Sequence, residues 1–103
     1  MVDAFLTVQS GNAFIRVPLE SIRYVESRRH YLVIRACSGT FRIRGKISEY
    51  AERLSHADFV QVHRCYVVNM RHIEVVRTNE VVFSDGERLP IGRRYRNAVQ
   101  ALR

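Results

Sequence analysis

Four short stretches concentrate side chains able to grip an anion or a base edge. They are Arg28-Arg29-His30-Tyr31, Arg42-Ile43-Arg44-Gly45-Lys46, His63-Arg64-Cys65-Tyr66 and Gly92-Arg93-Arg94-Tyr95-Arg96. Each joins arginine to a tyrosine, histidine or lysine. A guanidinium is planar, permanently charged and carries its donors in a fork, so it can hold a phosphate or read the O6 and N7 acceptors of guanine with two parallel hydrogen bonds. Tyrosines can stack on bases, but Tyr24, Tyr50 and Tyr95 fall at apolar-face positions and are expected in the core. Tyr31 and Tyr66 suit either role. Without a clear aromatic platform, the set favours duplex DNA over single strands or RNA.

Other chemistry finds less support. There is no Gly-x-Ser-x-Gly turn and no Walker-type phosphate loop, and the Gly39–Gly45 stretch carries Phe and Arg where a phosphate cradle needs small residues. Glu49 and Glu52 read as the solvated face of a helix. No catalytic residue is assigned, and an enzyme is not expected. His63 and Cys65 at i, i+2 would share one face of a strand, and His72 or Cys37 could complete a Cys/His zinc set. No Cys-x-x-Cys or His-x(3–5)-His pair supports that set, so neither a metal nor a cofactor is expected. Cys37 and Cys65 read as free thiols, Cys65 as a buried one.

The elements that must position these residues are short and β-rich. Ala4–Gln9 and Ala13–Val17 flank Ser10-Gly11-Asn12, which reads as a hairpin with a three-residue loop. Ile22–Ser27 and Tyr31–Ala36 flank Arg28-Arg29-His30, and Thr40–Arg44 follows a Ser-Gly turn. Ile73–Arg77 and Val81–Ser84 come next, and Asp85-Gly86 joins the latter to Arg88–Ile91. Connections this short favour antiparallel pairing. Asp58–Asn69, the most apolar stretch, predicts one or two central strands. Ile47, Tyr50, Ala51 and Leu54 recur at helical spacing and predict a helix over 46–54; Tyr95, Ala98, Val99 and Leu102 repeat that spacing at the C-terminus. The expected fold is mainly β, about eight to ten short strands with one or two short helices docked on them.

The chain has 103 residues, suited to one domain over 1–103, with 47% apolar and 26% charged residues. No stretch nears the ~18 apolar residues of a membrane span. The N-terminus has Asp3 and no basic segment ahead of an apolar run, so it does not read as a signal peptide, and the expected location is the cytoplasm. Seventeen basic residues against ten acidic ones leave a net charge of +7 and a pI near 10.2. Sixteen of the seventeen are arginine; GC-rich codon usage would explain that preference but not the excess of positive charge. The excess is localised: residues 1–27 hold Arg16 and Arg23 against Asp3, Glu20 and Glu26, whereas 28–46 and 93–103 contain no acid at all. A small soluble domain this basic usually has a polyanionic partner.

The order of these features resembles the LytTR-type DNA-binding domain, the output module of many bacterial response regulators. The likeness is carried by Phe59-x-x-x-His63-Arg64-x-x-x-Val68-Asn69-x-x-x-Ile73. It is framed by Ile22-x-Tyr24-x-Glu26-Ser27-x-x-His30 before it and Gly86-x-x-Leu89-Pro90-Ile91-x-Arg93-x-Tyr95 after it. Any one piece is weak, but three in the right order and spacing are specific, and together they cover nearly the whole chain. The resemblance implies about ten strands in stacked antiparallel sheets with one or two short helices, not a helix-turn-helix. It also implies loops docked into successive major grooves and the minor groove between them. It carries base-edge roles to His30, Arg64 and Arg93. Arg28, Arg29, Lys46, Arg71 and Arg94 are assigned to phosphates, and Asn69 and Ile73 to the fold.

Arg64 poses a conflict, because it stands in the most apolar segment: it must lie at a strand mouth or pair with Glu26 or Asp58. Two positions depart from the family pattern. Cys65 stands where Ser is usual after the basic residue, and Gly92 stands where Ser is frequent before Arg93, which puts a backbone hydrogen bond and the geometry of that loop in question.

The reading reached is a sequence-specific duplex DNA-binding domain of a bacterial two-component transcription regulator, with two copies on adjacent direct-repeat half-sites that bend the DNA. Nothing in the chain resembles the acidic pocket and phosphorylatable Asp of a receiver domain. Control would then come from a receiver or regulatory protein outside this chain. The rival reading is a protein-interaction module of the same fold docking on an acidic partner; an RNA-binding β-domain ranks third.

Overall fold

The computed structural model describes residues 4–102; Asp3 and Arg103 of the charge pattern lie outside the described residues. Alternating apolar and polar residues build ten strands: β1 (Phe5–Ser10), β2 (Ala13–Pro18), β3 (Ile22–Ser27), β4 (Leu32–Ala36), β5 (Gly39–Ile43), β6 (Phe59–His63), β7 (Tyr66–Asn69), β8 (Ile73–Val76), β9 (Glu80–Phe83) and β10 (Arg88–Pro90). Two short helices, α1 (Ile47–Arg53) and α2 (Arg96–Gln100), interrupt and close the series. The strands form three antiparallel sheets: β1-β2, β5-β4-β3-β7-β6 and β10-β9-β8. The mainly β reading with stacked sheets therefore holds. Among the described residues no helix is long and apolar enough to cross a membrane.

The five-stranded sheet is the middle layer. On one face Ile22, Val25, Leu32, Ile34 and Val67 pack under the β1-β2 hairpin (Leu6, Val8, Val17) and α1 (Tyr50, Leu54). On the other face Tyr24, Val62 and Val68 pack against Val81, Phe83 and Leu89 of the three-stranded sheet and Val99 of α2. Val67 and Val68 thus serve different cores, as strand alternation demands. Each fully buried branched side chain contributes about 1.5–3 kcal/mol, and the two layers together hold the middle sheet from both sides.

Several boundaries differ from the sequence reading. The first hairpin closes on a two-residue turn, because Ser10 pairs with Ala13 and Gly11 takes φ +59°; a left-handed residue matches the twist of the flanking strands. Asp58–Asn69 is two strands joined by the turn Arg64-Cys65, with β7 interior and β6 at the edge. The C-terminal helix is shorter than its spacing suggests: a 3-10 turn at Arg93–Tyr95 leads into it, and it tightens at its end through the Leu102 amide on the Val99 carbonyl (3.1 Å). Val99 is fully buried, but Leu102 is 51% exposed and Ala98 faces solvent. Asn69 has the structural role expected of it. Its amide donates to the carbonyls of Ile22 (2.9 Å) and Leu19 (3.4 Å), and its Oδ1 accepts from the Arg71 amide (3.0 Å).

Candidate nucleic-acid interface

Strand register decides which loops meet. Ser27 at the end of β3 pairs with Leu32, Leu32 pairs with Ile43, Glu26 pairs with Tyr66, and Tyr66 pairs with His63. The connections 28–31, 44–46 and 64–65 therefore leave the same end of the middle sheet. The Ser27 amide donates to the Cys65 carbonyl (2.8 Å), tying the first loop to the β6–β7 turn. The loop after β10 reaches this end as well: the Gly92 amide donates to the Val62 carbonyl (2.7 Å). Four connections meet here, carrying Arg28, Arg29, Arg44, Lys46, Arg64, Arg93 and Arg94 and no acidic residue.

The conflict over Arg64 resolves at this end. It sits on a two-residue turn and is exposed. It pairs with neither Glu26 nor Asp58: Glu26 takes Arg28 (3.1 Å) and Arg35 (3.2 Å), and Asp58 takes Arg71 (3.0 Å). Arg64 shares a cleft of about 230 Å³ with His63, Gly92, Arg93, Arg94 and Tyr95. Two of the three base-edge candidates thus line one cleft. The loop before Arg93 is held by the Gly92 amide and by the Tyr95 amide on the Gly92 carbonyl (2.9 Å), so its geometry is defined without a serine.

His30 occupies a separate groove of about 700 Å³ at the same end. That groove lies between the β1-β2 hairpin (Thr7, Gln9, Gly11) and Tyr31, Arg42, Ile43, Arg44 and Tyr50. The loop carrying His30 closes through the Arg28 amide on the Tyr31 carbonyl (2.8 Å), and the Arg42 guanidinium lies 4.8 Å over the Tyr31 ring. Lys46 sits at the start of α1, where its carbonyl accepts from the Glu49 (3.1 Å) and Tyr50 (3.4 Å) amides. Gly45 keeps that connection against Tyr50; at φ +152° a Cβ there would stand 2.8 Å from the Tyr50 ring.

Among the described residues, none of Arg29, Arg44, Lys46, Arg64, Arg93 and Arg94 forms an ion pair. Elsewhere Arg23 pairs with Glu87 and Asp85 (3.5 Å), and Arg77 (3.6 Å) and Arg88 (3.5 Å) share Glu80. Arg71 does not join the cluster. It follows Asn69, which pairs with Phe59 at the opposite end of the sheet, and it is held by Asp58. The sequence puts Arg42 and Arg44 in a basic stretch without a specific contact and leaves Thr7 and Gln9 without a role; the groove shows all four beside His30.

Tyr24 and Tyr50 are buried as expected and Tyr95 partly so. Cys37 and Cys65 are both free, Cys37 exposed and Cys65 half-buried, a correction to the buried thiol expected at 65. Cys65 is in a turn and not on the strand of His63, so the two do not share a strand face. Instead, the Cys65 amide donates to His63 Nδ1 (3.1 Å). Cys37 and His72 lie toward the far end of the middle sheet, through the Cys37 amide on the Ser21 carbonyl (2.8 Å) and the His72 ring against the Glu20 carbonyl (2.6 Å). Among the described residues no cluster of three or more His, Cys, Asp or Glu could hold a metal ion.

The chain is similar to the sensory transduction protein LytT of Bacillus subtilis, 22% identical over 94% of this chain and 42% of that one. It is also similar to the transcriptional regulatory protein LytR of Staphylococcus aureus, 22% identical over 90% and 40%. It thus spans about two fifths of the length of these curated relatives. The solved LytTr DNA-binding domain of a Bacillus cereus response regulator superposes with a TM-score of 0.83 at 22% identity, covering 97% of this chain and 96% of that one; the two share a fold. The family model described as the LytTr DNA-binding domain matches residues 12–103, and the chain belongs to that family.

Proposed function

We propose that this chain is the sequence-specific duplex DNA-binding part of a bacterial transcription regulator. The carrying observation is the sheet end where six cations without acidic partners gather on four braced connections, Arg64 and Arg93 lining one cleft. Family membership supports the same reading. Arg64, Arg93 and His30 read base edges from two neighbouring depressions. Arg29, Arg44, Lys46 and Arg94 hold phosphates, with Arg28 joining them when it leaves Glu26. Phosphate contacts set affinity and orientation, and base-edge contacts set specificity. Arg71 lies too far round the molecule to share this surface. Two copies on adjacent half-sites would present two such ends to one face of the duplex, and a receiver or other regulatory protein outside this chain would control their occupancy.

Selection from a random duplex pool at about 150 mM salt tests the reading. A recovered motif that is lost with Arg64→Ala or Arg93→Ala is the expected result. Binding with no enrichment overturns sequence-specific recognition. Weakly salt-dependent DNA binding, with tight capture of an acidic protein that Arg93→Ala abolishes, would favour the interaction-module reading.

A further inference from the structure

His63 touches both loops of the cleft and is half-buried between them. Its Nδ1 accepts the Cys65 amide (3.1 Å), which closes the Arg64-Cys65 turn across its tip. Its ring lies 5.2 Å from that of Tyr66, inclined at 45°. On its other side, its Cα and Cδ2 stand 3.5 Å from where a side chain at position 92 would begin, so Gly92 seats directly against it. Because an amide N–H is the donor, Nδ1 must carry the lone pair and the ring proton must sit on Nε2.

We infer that His63 is a positioning residue that sets the spacing between Arg64 and Arg93. It does so through the Nδ1 bond to the Cys65 amide, while Gly92 seats against its Cα. The physical need is specific. A two-residue turn has few internal hydrogen bonds, and an arginine on a loose turn satisfies any nearby phosphate. Reading a guanine edge with both guanidinium donors requires placement to about 0.5 Å. Loss of the brace should therefore cost discrimination more than affinity. This inference rests on the proposed base-reading roles of Arg64 and Arg93.

Two variants separate the acceptor from the ring. In His63→Asn, Oδ1 occupies the place of Nδ1 and can still accept the Cys65 amide; in His63→Phe, the ring remains against Tyr66 and the acceptor is gone. The probes are the duplex enriched by the wild-type chain and a scrambled duplex of equal length and composition. His63→Phe should lose about tenfold in the affinity ratio between the two, equivalent to about 1.4 kcal/mol, with scrambled-duplex affinity and salt slope unchanged. His63→Asn should stay within about twofold of wild type, well under that 1.4 kcal/mol.

Full discrimination by His63→Phe overturns the inference, as does an equal loss on both duplexes. If the Phe variant does not fold, a through-bond nitrogen–nitrogen coupling between the Cys65 amide and His63 Nδ1 in the wild-type chain decides the matter, and its absence overturns the brace. The two levels of failure are distinct. No enrichment by wild type overturns the functional reading and the inference with it. Enrichment that Arg64→Ala abolishes and His63→Phe leaves intact overturns the inference alone.

Discussion

On the proposed reading, Arg64 and Arg94, neighbours at one sheet end, have different tasks. Arg64→Ala or Arg93→Ala should cost about 1–3 kcal/mol on the enriched duplex and relax preference at one base position, while Arg94→Ala or Arg29→Ala should weaken all duplexes alike and lower the salt slope by about 1. Titrating each variant against cognate and scrambled duplexes at several salt concentrations checks both. Tyr24 gives a prediction of another kind. Its hydroxyl donates to Glu87 Oε2 (2.7 Å), and burial raises its pKa above 10.0, against the opposing pull of Arg35 and Arg23. The folded chain thus holds this proton more tightly than the unfolded one. Its contribution to stability is complete below about pH 10 and is lost as pH rises through the higher folded value. Urea midpoints of wild type and Tyr24→Phe from about pH 8 to pH 11 should converge at the alkaline end, after a difference of about 1–2 kcal/mol near neutrality from the lost bond.

Connections position these residues, and they were also the hardest part to foresee. Strand placement was legible because alternation is a local property: β3 spans Ile22–Ser27 as the pattern predicts, and α1 matches its helical spacing to within a residue at each end. Base-edge candidates come from motif order, and the structure puts two of them, Arg64 and Arg93, on one cleft. The grouping was not legible, because it depends on register between β3 and β7, strands some forty residues apart; so from sequence alone Arg71 is assigned to phosphates beside Arg28 and Arg29, and Arg44 has a basic stretch but no specific contact. Leu102 misled for a simpler reason, as periodicity cannot tell where a five-residue helix stops. Gly45→Ala tests a connection directly. The steric clash with Tyr50 and the positive φ should cost about 1–3 kcal/mol in thermal or urea unfolding. Asn69→Ala should cost about 2–3 kcal/mol by leaving buried carbonyls of Ile22 and Leu19 without donors.

Across the whole molecule, charge is polarised. The connections at one end of the middle sheet carry no acid, with Glu26 of β3 just inside them on Arg28, while the far end mixes Glu20 and Asp58 with Arg71. If the five phosphate contacts proposed for Arg28, Arg29, Arg44, Lys46 and Arg94 each neutralise one charge, log K should fall against log salt with a slope of about −4.5. Arg71→Ala should leave that slope and the motif unchanged, and a shift in either would place DNA at the far end.

Among the described residues every strand pairing but one joins neighbours in sequence; the exception is β3 with β7. Hairpins between neighbours close short loops and form early, whereas Val25 meeting Val67 must first close most of the intervening chain. Loop 28–31 and turn 64–65 become adjacent only at that step, through the Ser27–Cys65 bond. The whole surface therefore exists only once that pairing has formed, and neither half, residues 4–54 nor 55–102, carries all of it alone. Two such fragments expressed separately should regain a shared DNA-binding signal only when mixed, making binding a reporter of their reunion.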